Sequence, residues 1–166
     1  MGMRVEVVPA AERDRDVLGN LLQFYLYDFS ELRDLDVTPQ GGFAYHFLDD
    51  FLKERDREAC LFKAGEILVG FSMTRQLDDS SREMSKFFVL RRHRRHGMGK
   101  AAAQQVLRRH PGHRTLSFDR ANHAAAHFWP PLVSHLASGP VQRREIYPPD
   151  TAYAMSCLRF QVPQAP

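Results

Sequence analysis

Cysteine is scarce in this chain. The 166 residues hold two, Cys60 and Cys157, and neither lies in a Cys-x-x-Cys pair. That is too few for a disulfide framework. Both stand in strand-like apolar context and are expected as buried free thiols, which suits a reducing compartment. Long apolar runs are missing as well, the longest being a few residues, far short of the roughly 20 that a membrane helix needs. The first residues, Met-Gly-Met-Arg-Val-Glu-Val-Val, alternate like a strand and lack the apolar block of a secretion signal. A cytoplasmic location without a membrane partner is therefore expected. No segment repeats, and only the terminal Pro-Gln-Ala-Pro reads as loose. What is present is an ordinary globular composition, 43% hydrophobic and 26% charged, and a length that fits one domain spanning residues 1–166. The net charge is +3, with basic residues gathered at 91–95, 108–114 and 143–144. Such clustering suits an acidic partner, either nucleic acid or a phosphorylated small ligand.

Periodicity sets out the elements. Residues 3–9 alternate as a first, edge-like strand. Residues 12–33 carry Leu18, Leu21, Leu22, Leu26 and Phe29 at helical spacing. A Thr-Pro-Gln-Gly-Gly loop follows, then a second helix over 45–57. Residues 59–63 and 67–74 read as a hairpin around Ala64-Gly65-Glu66, and Gly70 inside its strand signals a bulge or a close backbone approach. A strand over 83–90, a helix over 97–110 and a strand over 115–119 come next. Asn122 is expected to cap a helix that stops near Trp129, because Pro130-Pro131 should not sit mid-helix, and that resumes at 131–135. Residues 141–147 and 152–160 form a last antiparallel pair. The order β-α-α-β-β-β-α-β-α-β-β predicts an α/β, mixed α+β, sheet with helices on both faces.

The stretch 87–103 carries the chemistry. Phe-Phe-Val-Leu reads as a buried strand, Arg-Arg-His-Arg-Arg-His as a basic loop, and Gly-Met-Gly-Lys-Ala-Ala-Ala as a helix start. Gly97 and Gly99 allow a tight turn, and the first amides of a helix have no internal partner, so the junction suits a phosphate or pyrophosphate. A P-loop is excluded because Ala101 follows Lys100. A dinucleotide fingerprint survives on spelling, with Asp119 about twenty residues on, but six mostly basic residues separate strand from turn and the repeated β-α-β units are missing.

Arg94-Arg95-His96-Gly97-Met98-Gly99 resembles the Arg/Gln-x-x-Gly-x-Gly/Ala motif of the Gcn5-related N-acetyltransferases, the GNAT superfamily. Asn122-His-Ala-Ala125-Ala-His-Phe128-Trp129 resembles the family's Asn-x-x-Ala-x-x-Phe-Tyr, and the order of elements agrees from first strand to last. The resemblance implies about seven strands, mostly antiparallel, with a central splayed parallel pair. It implies that Arg94 opens a loop whose amides, from Arg95 through His96, Gly97, Met98 and Gly99 to Lys100, hold the pyrophosphate of acetyl-CoA. It implies pantetheine contacts to Phe88, Val89 and Leu90, with the Val89 amide polarising the thioester carbonyl. Asn122 would touch the pantetheine or cap its helix, and Phe128 would pack beside it. The implied reaction is acetyl transfer to a primary amine by direct attack in a ternary complex, and a homodimer is a further expectation, since family members often dimerise.

Two departures bear on catalysis. Trp129 stands where the family often has Tyr, and an indole does not readily supply a proton. The Gly-Phe that follows in the family is replaced by Pro-Pro-Leu-Val-Ser-His. Tyr147, Tyr25 and Tyr27 are the candidate acids, and Glu83, upstream on the central strand, is the candidate base. The acceptor is expected against an aromatic wall of Phe24, Tyr25, Tyr27, Phe43 and Tyr45. Two other classes stay open: a GNAT-fold module that binds acyl-CoA without turnover, suggested by Trp129, and nucleic-acid binding through residues 91–95, although no aromatic interleaving accompanies that run. His123 and His127 lie four apart, but no third ligand stands at a readable spacing, so no metal is expected.

Overall fold

The computed structural model describes residues 3–149 and 153–165. Seven strands form one sheet: β1 (Glu6–Pro9), β2 (Arg57–Ala64), β3 (Ile67–Gln76), β4 (Arg82–Val89), β5 (Gly112–Asp119), β6 (Ser138–Ile146) and β7 (Met155–Val162). Their spatial order is β1-β2-β3-β4-β5-β7-β6. Among the described residues only β4 and β5 run parallel, and every other pairing is antiparallel. Helices α1 (Arg15–Ser30) and α2 (Leu48–Lys53) cover one face, and α3 (Met98–Arg109) and α4 (His123–Leu136) the other. Strand alternation feeds both layers. Leu61, Phe71, Met73 and Phe88 pack under α1 through Leu18, Leu21, Leu22 and Leu26. Phe62, Val69, Met84 and Val89 pack under α3 and α4 through Ala102, Val106, Trp129 and Val133.

The expected elements are present, with two corrections. The second helix is shorter than the expected 45–57. Glu54 is already extended, at ψ 138°, and Arg57 begins β2. Its N-terminal approach is held as a loop by Gln23, whose amide group donates to the Phe43 carbonyl at 2.9 Å and accepts from the Phe43 amide at 2.8 Å. The last helix does not break: Pro130 and Pro131 lie inside a continuous α4. Proline costs about 3 kcal/mol in a helix interior. Here Trp129, Leu132, Val133 and Leu136 are all buried on one side of that helix, and packing of an apolar stripe dominates helical stability.

Both cysteines are free thiols. Cys60 is buried, and burial together with nearby Glu58 pushes its thiol up to about 12. Cys157 is half-buried, 3.3 Å from the Thr115 hydroxyl. Arg114, only 1% exposed, lies beside the end of α3 and donates to the His110 carbonyl at 3.2 Å, where helix C-terminal carbonyls carry partial negative charge. Among the described residues no helix is long and apolar enough to cross a membrane.

Gly70 is the close approach that its place in a strand suggested. A Cβ built there would stand 2.0 Å from the Phe88 carbonyl oxygen. A methyl group cannot be accommodated without moving β3 away from β4. Gly70→Ala is therefore expected to destabilise the fold by about 3 kcal/mol, read as a lower urea midpoint; an unchanged midpoint would show that the strands shift freely.

Candidate active site

The parallel pairing of β4 and β5 is brief. Arg82, Glu83 and Met84 face Arg114, Thr115 and Leu116, and pairing ends there. Beyond that point β5 stays paired to β7 through Asp119, while β4 stays paired to β3 through Val89. The two central strands therefore part, and a gap opens along residues 85–89. Ser85 is an extra residue in β4, since Met73 faces Lys86 and the next residue, Thr74, faces Met84. Such a bulge bends and twists its strand, and this one sits where the strands diverge.

Alternation decides which amides face the gap. The Leu90 amide donates to the Val69 carbonyl at 2.8 Å, within the sheet. In an antiparallel ladder the Phe88 amide then faces β3 as well, and those of Phe87 and Val89 face away, into the gap. Of the residues expected beside a pantetheine arm, Val89 has its amide on the gap side, as does Phe87, whereas Phe88 and Leu90 turn theirs into the sheet. The Phe88 side chain lies under α1 against Phe71 and Tyr25.

The basic loop closes the mouth of the gap. Residues 91–93 form a 3-10 turn, and Arg95 and Gly97 follow with φ of 64° and 79°. Left-handed backbone suits glycine at 97 and is tolerated at some cost by Arg95. Gly97 caps α3 with no side chain, and the first turn-closing bond runs from the Ala101 amide to the Gly97 carbonyl at 3.1 Å. Arg94 and Arg95 form a turn closed at His96, and among the described residues the amides of 97–100 donate to no acceptor. They lie at the junction where Gly97-Met98-Gly99 led an anion cradle to be expected. Gly99 faces Val89 and Phe128, with 3.5 and 3.6 Å left for a Cβ.

The Arg94 side chain, expected in the cofactor set, is engaged within the fold. Its Nε donates to the Val89 carbonyl at 2.7 Å, its Nη2 to Asp28 at 2.8 Å, and its guanidinium covers the Phe88 ring at 5.3 Å. It fastens the loop to β4 and to α1. Arg91 also pairs with Asp28. Burial acts to raise the Asp28 carboxyl, but its hydrogen bonds from Arg91 and Arg94 outweigh that and hold it below its ordinary value. Five residues on, Arg33 reaches Asp119 at the end of β5, 3.3 Å away and buried. The end of α1 and the turn after it thus tie down both arms of the gap.

On the α1 and α2 face, a cleft of about 740 Å³ opens at the point of divergence, lined there by Ser85 of β4 and Ser117 of β5. Glu83 and Tyr147 share this cleft. Glu83 Oε2 accepts from Arg75 at 2.6 Å and from Ser85 at 3.1 Å. Tyr147 is 69% exposed at the rim. The expected aromatic wall is largely elsewhere. Phe24 and Tyr27 are exposed on α1, and Tyr25 packs among Phe29, Phe71 and Phe88. Burial pushes the Tyr25 hydroxyl up to about 12. Tyr45 does line the cleft, joined by Phe47 and Phe51. Sequence reasoning missed the cations of the cleft, Arg57, Arg75 and Lys86. A lone lysine two residues before Phe88 was the available signal, but the bulge at Ser85, which puts Glu83 on the same face, is not legible in a linear pattern.

On the opposite face Asn122 caps α4, its Oδ1 accepting from the Ala125 amide at 3.1 Å. Phe128 stacks on Phe87 at 5.8 Å and flanks Gly99. Trp129 is buried, edge-on to Phe87 at 5.0 Å. The indole is a packing element behind β4. No cluster of His, Cys, Asp or Glu suited to a metal occurs among the described residues.

The profile of the acetyltransferase (GNAT) family matches residues 23–130, more than half of the sequence. The chain belongs to the GNAT acetyltransferase family. As a GNAT enzyme it is an acetyl-CoA-dependent N-acetyltransferase by class. A search of curated proteins returns no match. Solved structures share the fold at low identity. An acetyltransferase from Thermus thermophilus is 14% identical with a TM-score of 0.68, covering 98% of this chain and 100% of its own. Spermidine N-acetyltransferase from Vibrio cholerae, solved with CoA and spermine, is 11% identical with a TM-score of 0.63, covering 97% of each chain. The ribosomal-protein-S18-alanine N-acetyltransferase of Escherichia coli is 13% identical with a TM-score of 0.59, covering 98% of this chain and 96% of its own.

Two outcomes follow for the GNAT loop. Gly97→Val places a β-branched residue at φ 79° and is expected to weaken acetyl-CoA binding at least about tenfold, roughly 1.4 kcal/mol, in calorimetry while circular dichroism is unchanged. Unchanged affinity would make the glycine purely structural. Asp28→Asn is expected to destabilise by about 1–3 kcal/mol at neutral pH. Because the Asp28 carboxyl is depressed from 3.8, its contribution is full above that value and fades as pH falls through the lowered one. The difference between wild type and variant in urea should stay level above about pH 5 and shrink below about pH 4.

Proposed function

We propose that this GNAT enzyme moves the acetyl group of acetyl-CoA onto a primary amine by direct attack in a ternary complex. The observation that carries the reading is the gap left where β4–β5 pairing stops at Met84 and Leu116, with an anion cradle at one end and a cleft at the other. The unpartnered amides of residues 97–100 fit a pyrophosphate. The gap-facing amides of Phe87 and Val89 fit an extended pantetheine arm adding itself as a strand. The Val89 amide is the donor for the thioester oxygen, where negative charge develops as the carbonyl carbon becomes tetrahedral.

The amine enters from the cleft. Its nitrogen attacks the thioester carbon, the C–N bond forms, the C–S bond breaks, and the thiolate of CoA departs. A neutral amine is required, so a proton must leave it. Glu83 is the carboxylate of the cleft, and its Oε1 accepts from no described residue. It takes that proton, directly or through one water. Among the described residues two tyrosines line the cleft. The Tyr45 hydroxyl is directed to Met73 Sδ at 3.7 Å, which leaves Tyr147 as the tyrosine to protonate the thiolate. The basic run is partly committed within the fold, since Arg91 and Arg94 are paired to Asp28, which favours the cofactor reading over nucleic acid.

Incubation with acetyl-CoA and an amine panel, following free thiol, tests the reading; failure to bind acetyl-CoA in calorimetry would defeat it. Glu83→Gln is expected to lower kcat by about 10²-fold while acetyl-CoA affinity stays constant. An unaltered kcat would remove Glu83 from the role of base.

A further inference from the structure

The cleft carries an unbalanced charge. Among the described residues, its charged lining consists of Arg57, Arg75 and Lys86 against a single carboxylate, Glu83. Arg75 is satisfied by Glu83 at 2.6 Å. The other two cations are held by aromatic faces instead of anions. Lys86 Nζ lies 5.3 Å from the Tyr25 ring centre and 5.1 Å from that of Tyr45. The Arg57 guanidinium lies 5.7 Å from Phe47 and 5.1 Å from Phe51. Among the described residues, no carboxylate or carbonyl oxygen accepts from either group. A cation stacked on rings keeps its charge available to a ligand, since the ring quadrupole orients it without neutralising it.

We infer that the acceptor is a primary amine that also carries a carboxylate, set on an apolar or aromatic frame, with Lys86 and Arg57 receiving the carboxylate. The inference rests on the acyl-transfer reading of the same cleft and adds the substrate class to it. Lys86 takes the same face as Phe88, towards Tyr25, and the bulge at Ser85 brings Glu83 onto that face as well, beside the point where the strands part. The cleft walls, Tyr45, Phe47 and Ile146 among them, match an apolar frame. Burial depresses the Lys86 ammonium below its ordinary value, with Glu83 opposing and Arg75 adding to that effect, so an incoming carboxylate supplies a counter-charge the cleft lacks. A polycation finds the reverse, because the one carboxylate of the described lining is engaged by Arg75.

The test separates this selection from turnover. With CoA present, N-acetyl-L-phenylalanine and the matched neutral product N-acetylphenethylamine are titrated into the full chain by calorimetry, with spermidine as a third ligand. The anionic product is expected to bind at least about tenfold tighter than the neutral one, and Lys86→Met to collapse that ratio towards one. Equal affinity of the two products, tighter binding of spermidine, absence of binding by the anionic product, or a ratio unchanged in Lys86→Met would each overturn the inference. Thiol release from acetyl-CoA with phenylalanine or phenethylamine as acceptor is read separately. Selective binding without thiol release would defeat the transfer reading and leave the charge selection standing.

Discussion

The arrangement depends on a pairing that the sheet abandons. Backbone amides in a buried strand are costly to leave without partners, yet β4 turns those of Phe87 and Val89 towards a neighbour that has moved away. Antiparallel partners on the outer sides hold the two central strands apart, β3 on β4 and β7 on β5. Behind the gap, Phe87, Phe128 and Trp129 pack against one another and resist closure. In front of it, Asp28 grips the loop after β4 and Arg33 grips the end of β5. The gap-facing amides are thereby held open beside a sheet that neither neighbour completes.

This explains why one short segment carries so many roles. Strand β4 contributes Glu83 and Lys86 to the cleft, the Val89 amide to the gap and, through its end, the basic loop to the cradle. The Ser85 bulge divides these duties. Without the extra residue, Met84, Lys86 and Phe88 would share a face; with it, Met84 joins the core under α3 while Lys86 faces the aromatic rings of Tyr25 and Tyr45. Charge follows the same division. Arg91 and Arg94 next to the gap are spent on fastening, whereas Arg57 and Lys86 in the cleft are propped on rings.

Much was legible in order along the chain because it rests on local physics. Two periodicities, 3.6 and 2, mark helices and strands, and Gly-Met-Gly before an alanine-rich helix marks a helix N-terminus with unpaired amides. Asn122 reads as a cap because its short side chain reaches the amide three residues on, and it does. Gly70 reads as a close approach for want of a side chain. Local rules failed where tertiary packing overrode them. Pro130 and Pro131 remain helical because their neighbours are buried, and the aromatic wall placed on α1 lies largely outside the cleft, since helical rotation sends Phe24 and Tyr27 to solvent.

Residues close together in the chain were enough to establish the family, the order of elements and the glycine-opened start of α3. Distant contacts were needed for the rest: that β4 and β5 part after Met84 and Leu116, that Arg94 serves as a fastening, that Trp129 is core, and that Lys86 and Arg57 face one cleft. Those facts depend on register, on a one-residue bulge and on contacts between segments far apart in sequence, and a linear pattern of residues carries no record of which distant group a side chain will meet.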